Sequence, residues 1–146
     1  MPRRARRLRS MEDRPLDLST TSLEGTLMPR LGIEFLEATS ERVVARMPVE
    51  GNMQPFGVLH GGATAALCET VASLGAALAA GRERLALGIE INVNHIRGVR
   101  EGFVTATGTP LHSGAMTAVW DIRVEDAECR LTAASRVTLA IRDARH

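Results

Sequence analysis

The chain has 146 residues, 45% of them hydrophobic, and a formal net charge of +1. That length suits one domain with a core large enough to be stable without staples, and the near-neutral balance gives no ground for nucleic acid or an anionic membrane as main partner. Three Phe, one Trp and no Tyr leave no base-stacking platform, and two cysteines with no CxxC pairing, Cys68 and Cys129, fit reduced thiols in a cytoplasm rather than a disulfide framework.

The first ten residues, MPRRARRLRS, are basic but lack the apolar run of a secretory signal. Residues 1–25 read as a flexible basic extension, with Met11 an alternative start, and residues 26–146 as the domain. Two short strands are expected near Ile33–Ala38 and Arg42–Pro48, with Thr39-Ser40-Glu41 turning between them. A loop rich in Gly, Asn, Gln and Pro (50–57) leads into a long helix over Gly61–Ala80, which Gly81 ends. Four more strands are expected near Leu87–Arg97, Gly102–Leu111, Ala115–Glu125 and Leu131–Arg142. In the third of these, Ala118, Trp120, Ile122 and Val124 share one face, opposite Thr117, Asp121, Arg123 and Glu125. Leu131, Ala133, Val137, Leu139 and Ile141 line up in the same way on the last. Strands, one apolar helix and then a run of strands predict an α+β fold, an antiparallel sheet wrapped around one long helix.

The helix reads GGATAALCETVASLGAALAA, and its only charge is Glu69. Ala, Leu and Val dominate, so burial nearly all round is expected. A lone carboxylate there is costly unless partnered or solvated in a cleft. Crossing a membrane would cost about 2.5 to 3.5 kcal/mol for Glu69 alone, so the helix reads as a soluble core element.

His60-Gly61-Gly62 stands at the helix start, where unpaired N–H groups and the helix dipole favour negative charge. Two glycines let a substrate oxygen come close, the geometry of an oxyanion hole for an acyl carbonyl. Glu69 and Ser73 are neighbours on one helical face, and a carboxylate beside a hydroxyl can act as base or nucleophile with a positioned water. Gly61 and Glu69, however, stand roughly 12 Å apart along the axis. One carbonyl does not easily reach both. Either a bent loop lowers the hole or a second subunit's helix completes the site, and the shared site makes an oligomer the expectation.

Duller readings stand beside these. His60 can simply cap the helix, His95 and His112 can be strand-end residues, and Ser73 can bond a backbone carbonyl. Cys68 is about 100° round the helix from Glu69 and reads as core filler. Arg97 and Arg100 can be solvated charges. The four His show no metal-ligand spacing.

The run QPFGVLHGGATAALCETVAS resembles the active-site segment of hotdog-fold acyl-CoA thioesterases. The branch is the 4-hydroxybenzoyl-CoA thioesterase type, whose catalytic Glu lies on the central helix. Within it, the chain resembles the 1,4-dihydroxy-2-naphthoyl-CoA hydrolases and the proofreading thioesterases of enterobactin synthesis. The resemblance runs from about Met28 to Arg142, through GIEINVNHIRGVREG, TPLHSG and SRVTLAI.

The resemblance implies that Glu69 is the nucleophile or general base and that the Gly61 N–H polarises the thioester carbonyl. His60 and Gln54 would orient the thioester, and Ser73 would hold the hydrolytic water. The Glu and Ser would come from one subunit and the Gln, His and Gly from another. Positions matching the family's CoA- and acyl-contacting segments are Gly88, His95, Ile96, Arg97, Gly98, Arg100, His112, Ser113, Gly114, Ala115, Met116 and Thr117. Arg97 and Arg100 would pair with CoA phosphates. The family often has a hydroxyl and a basic residue after the glycine matching Gly114; Ala115, Met116 and Thr117 depart from that pattern at a phosphate contact.

The implied function is hydrolysis of an aromatic acyl-CoA, hydroxybenzoyl- or dihydroxynaphthoyl-like, in the cytoplasm, by a homo-oligomer built as a tetramer from dimers. It needs no metal or redox cofactor, coenzyme A being part of the substrate, and no nucleic-acid or membrane partner. Medium-chain fatty acyl-CoA hydrolysis and non-catalytic acyl-CoA sensing are the alternatives. A sensor would lose the carboxylate that Glu69 keeps. A hotdog dehydratase would want an Asp near the helix start, and none occurs between Gly51 and Ala80.

Overall fold

The computed structural model describes residues 22–144. The expected basic extension therefore lies outside the described residues as far as residue 21. The elements run α1 (Leu27–Leu31), β1 (Glu34–Ala38), β2 (Val43–Pro48), α2 (Gly61–Ala80), β3 (Arg84–His95), β4 (Phe103–Ser113), β5 (Thr117–Glu125) and β6 (Leu131–Asp143). The six strands make one sheet in the order β1-β2-β4-β5-β6-β3, antiparallel throughout. Tight connections join β1 to β2, β4 to β5 and β5 to β6. The passage from β2 to β4 instead carries α2 and β3, so α2 spans the sheet and delivers β3 to its far edge. Helix α2 packs against β2, β3, β4, β5 and β6. This is the hotdog arrangement, with one long helix held in a curled antiparallel sheet.

The alternation in β5 has the expected consequence, with Ala118, Trp120, Ile122 and Val124 buried. Ala133, Val137, Leu139 and Ile141 of β6 are buried on the same side. Two glycines set how closely helix and sheet approach. A Cβ on Gly75 would lie 2.1 Å from Trp120 Cη2, and one on Gly108 would lie 2.6 Å from Val71 Cγ1. The indole ring and the valine thus occupy the places where those side chains would be.

Three expectations need correction. First, α2 is not buried all round. Ala63, Thr64, Leu67, Cys68, Val71, Ala72, Leu74, Gly75 and Ala76 face the core, while Gly62 and Glu69 are exposed and Ala65, Ala66, Thr70, Ser73 and Ala77 partly so. A single sheet covers only the helix face turned toward it. Second, β3 begins at Arg84 rather than Leu87, and β5 at Thr117 rather than Ala115, because Ala115 and Met116 belong to the hairpin turn. Third, α1 was not expected. Its last turn is closed by Gly32, at φ 68°, and the Ile33 N–H donates to Met28 O at 3.0 Å.

Asn52 ties these parts together. Its buried side-chain amide donates to Leu31 O at 2.7 Å and Pro48 O at 2.9 Å. Its backbone carbonyl accepts from the His60 N–H at 2.9 Å. The loop between β2 and α2 is thereby pinned at both ends, which fixes where Gln54 and the start of α2 stand.

Candidate active site

The start of α2 has four N–H groups with no carbonyl inside the helix to receive them. His60 is the N-cap, and its Nδ1 accepts from the Gly62 N–H at 2.8 Å. The Ala63 and Thr64 N–H groups donate to His60 O at 3.0 and 3.2 Å. Gly61 alone of the four has no acceptor among the described residues. Gly61 lines a cleft of about 350 Å³ together with Gln54, Val58, Leu59, Thr64, His95, Ile96, Arg97, Gly98, Val99, Thr132 and Ala133. The His95 ring crosses directly over this point, since a Cβ on Gly61 would sit 2.9 Å from His95 Nε2. Any side chain at 61 would close the mouth above the free N–H. Gln54 contributes its carbonyl Oε1 to the Phe56 N–H at 3.3 Å, leaving its amide N–H groups available to the cleft.

Glu69 and Ser73 are elsewhere, on the open face of α2, and neither lines that cleft. The carboxylate rests against β3 at Gly88, where a Cβ would lie 2.5 Å from Glu69 Oε1. Gly88 also opens a bulge, the register with β6 shifting between Gly88 and Glu90. The side chains of Glu69 and Ser73 have no hydrogen-bond or ion-pair partner among the described residues. The carboxylate is exposed in the single chain, so the expected cost of burial does not arise there. Cys68, next in sequence, is fully buried, and burial pushes its thiol up to about 11. It is core filler.

The third group of expected residues forms the β4–β5 hairpin tip. The His112 ring folds over Gly114, with Nε2 2.6 Å from where a Cβ would be, and the Gly114 N–H donates to Thr117 O at 2.9 Å. Ser113, Ala115 and Met116 are exposed beside them, and none of the tip residues lines the cleft. Arg100 is also outside the cleft lining, with Nη1 3.7 Å from the position of a Cβ on Gly57.

The structure thus brings Gln54, Gly61, His95, Ile96, Arg97 and Gly98 together. It sets Glu69, Ser73 and Gly88 apart as a second group, as the axial distance along α2 requires. Sequence reasoning missed Thr64, Thr132 and the aliphatic wall of Val58, Leu59, Val99 and Ala133. The one available signal was that Thr64 follows Gly61 by one helical turn.

The long helix held in a hotdog sheet is the architecture of a family of thioester hydrolases, and the chain belongs to the thioesterase superfamily. The profile of that superfamily matches residues 56–133, which hold Gly61, Glu69 and His95. A Deinococcus radiodurans relative, 49% identical over 117 residues (80% of this chain and 74% of that one), bears only the broad name of esterase. The 1,4-dihydroxy-2-naphthoyl-CoA hydrolase of Escherichia coli is 41% identical over 119 residues, 81% of this chain and 88% of that one. A crystal structure of a thioesterase from Haemophilus influenzae superposes with a TM-score of 0.81 at 39% identity, covering 85% of this chain and 87% of the other.

Proposed function

We propose that this protein is an acyl-CoA thioesterase that releases coenzyme A and a free aromatic acid, and that its active site is shared between two copies of the chain. The unsatisfied N–H of Gly61, a residue of the cleft wall, carries the reading. Such a donor is held in place before the carbonyl arrives and strengthens as oxygen gains negative charge in the transition state. Gln54 and His60 orient the thioester around it, and His95, Ile96 and Gly98 contact the acyl end. Arg97 and Arg100 offer charge to the CoA phosphates. The hairpin tip, His112 to Thr117, lies along the CoA tail and, with Ala115, Met116 and Thr117 after Gly114 in place of a basic residue, offers no charged phosphate contact at those positions.

Glu69 from the second copy supplies the reacting carboxylate. It either attacks the carbonyl carbon to form a mixed anhydride, expelling the CoA thiolate, or takes a proton from a water that attacks there. Ser73 holds that water in either route. Water oxygen ends in the acid and its proton on the thiolate, so no metal or redox group is needed. The similarity to the E. coli naphthoyl-CoA hydrolase supports an aromatic acyl group. Medium-chain fatty acyl-CoA is the second reading, favoured by the aliphatic side chains of Val58, Leu59, Ile96 and Val99 in the cleft lining, which includes no Phe, Tyr or Trp.

The test is free thiol released from a panel of aryl- and fatty-acyl-CoA esters by the wild type and by Glu69→Gln. Hydrolysis cut by orders of magnitude in the variant, with aryl esters preferred, supports the reading. Undiminished hydrolysis in Glu69→Gln sinks it.

A further inference from the structure

Two threonines of α2 are treated differently by the fold. The Thr70 hydroxyl donates to Ala66 O at 2.7 Å, the usual outcome for threonine in a helix. Thr64 makes no such bond, and its would-be acceptor, His60 O, already receives the N–H groups of Ala63 and Thr64. Across the cleft, the Thr132 hydroxyl donates to Val124 O at 3.0 Å. Thr64 is only 4% exposed, yet its hydroxyl has no partner among the described residues and is not sealed off. Thr64 forms part of the wall of the cleft, which is the open space beside it.

A hydroxyl so enclosed loses its water contacts when a ligand fills the space, and then needs a partner from the ligand. Thr64 stands one turn beyond Gly61, about 4.5 Å along the axis on the same side of the helix. If the Gly61 N–H holds the thioester oxygen, the Thr64 hydroxyl is within reach of an atom two or three bonds from the carbonyl carbon, where an ortho substituent stands. We propose that Thr64 determines acyl specificity, its hydroxyl bonding to a polar substituent beside the thioester carbon, such as the ortho hydroxyl of a 2-hydroxyaroyl group. This inference rests on the acyl-CoA thioesterase reading and narrows its substrate class. Because a hydroxyl both donates and accepts, it serves a phenol, a phenolate or a carbonyl at that position. An acyl group with only carbon there leaves the hydroxyl unpaired, which is how a polar site discriminates.

The experiment measures binding rather than turnover. Phenacyl-CoA and 2-hydroxyphenacyl-CoA, thioethers whose extra methylene blocks hydrolysis, are titrated calorimetrically into the wild type, Thr64→Val and Thr64→Ser. The 2-hydroxy compound is expected to bind the wild type and Thr64→Ser about three- to tenfold more tightly than phenacyl-CoA. In Thr64→Val that preference should vanish while phenacyl-CoA binds as before. A wild type that binds both equally overturns the inference, and this arm stands even if Thr64→Val does not fold. So does a preference that survives in Thr64→Val. Glu69-dependent hydrolysis with the preference unchanged in that variant overturns this inference alone. A Thr64-dependent preference without hydrolysis of any ester sinks the catalytic reading and leaves the hydroxyl contact standing.

Discussion

Glu69 is held by what lies beneath it rather than by a partner. With no hydrogen bond from any described residue, the carboxylate's orientation depends on the bare backbone at Gly88. Gly88→Ala puts a methyl group 2.5 Å from Oε1, so the carboxylate must turn aside. Displacement of a reacting group by an ångström costs on the order of 10²-fold in rate, and a fall in kcat of about that size with an unchanged circular dichroism spectrum is expected. Full turnover would mean that the carboxylate's position is not set here. The cysteines differ in the opposite sense. Cys68 is buried with its thiol raised to about 11, whereas Cys129 is exposed, so Ellman's reagent should titrate one thiol per chain in the native state and two in denaturant. Two reactive thiols under native conditions would mean that α2 opens readily. Glu69 was legible in the sequence because it is the one charge among twenty residues. Its exposure was not, because hydropathy does not separate a face covered by the chain's own sheet from one left open. The free hydroxyl of Thr64 was equally illegible, since it emerges only when every competing acceptor has been placed.

At the scale of elements, the helix–sheet contact depends on the two positions without side chains. Gly75→Ala forces a methyl group into the Trp120 ring, 2.1 Å from Cη2. Overpacking of this kind costs about 1–3 kcal/mol, and Tm should fall by about 2–4 °C for each of them. An unchanged Tm would show that the indole moves freely in its place. The strands and α2 were readable from period and punctuation, since β5 alternates cleanly and Gly81 follows the last helical turn. Helix α1 was not, because five residues containing Pro29 are too few for a periodic signal, and what holds it is Asn52, twenty-one residues away from Leu31. The β5–β6 turn adds a pH-dependent element. Burial of Asp126 works against its charge, but the Arg130 N–H and guanidinium and the Glu128 N–H outweigh it and hold the carboxyl below its ordinary 3.8. A depressed folded value means that the stabilisation is present above 3.8 and fades as pH falls through the lower, folded value. In Asp126→Asn the loss of Tm on acidification through that range should therefore be smaller than in the wild type. Parallel curves would show that the turn contributes nothing to acid sensitivity.

For the whole molecule, the parts of the proposed site are complete in composition but not in position. The cleft with its free N–H lies at the head of α2, and the carboxylate lies two turns down the helix against the edge strand. That edge is β3, twelve residues long and unpaired on its outer side, with Leu87 and Ile89 51% and 62% exposed. A long edge strand carrying exposed aliphatic side chains is a surface that proteins otherwise cover. A second copy, related by a two-fold axis, would cover it and present its own Glu69 to the first copy's cleft, in a dimer that can pair again into a tetramer. Ile89→Asp should then lower the mass in solution and the turnover together. The stronger test separates the two halves of the site. Glu69→Gln removes the carboxylate half and Gln54→Ala the cleft half, so each homodimer is crippled at both sites. In a mixed dimer, one site receives both lesions and the other receives neither. Random reassociation makes half the dimers mixed, each with one of two sites intact, so unfolding and refolding the two variants together should restore about a quarter of wild-type activity. If each chain carries a complete site of its own, the mixture will show only the average of two crippled enzymes, and the shared site will have to be abandoned.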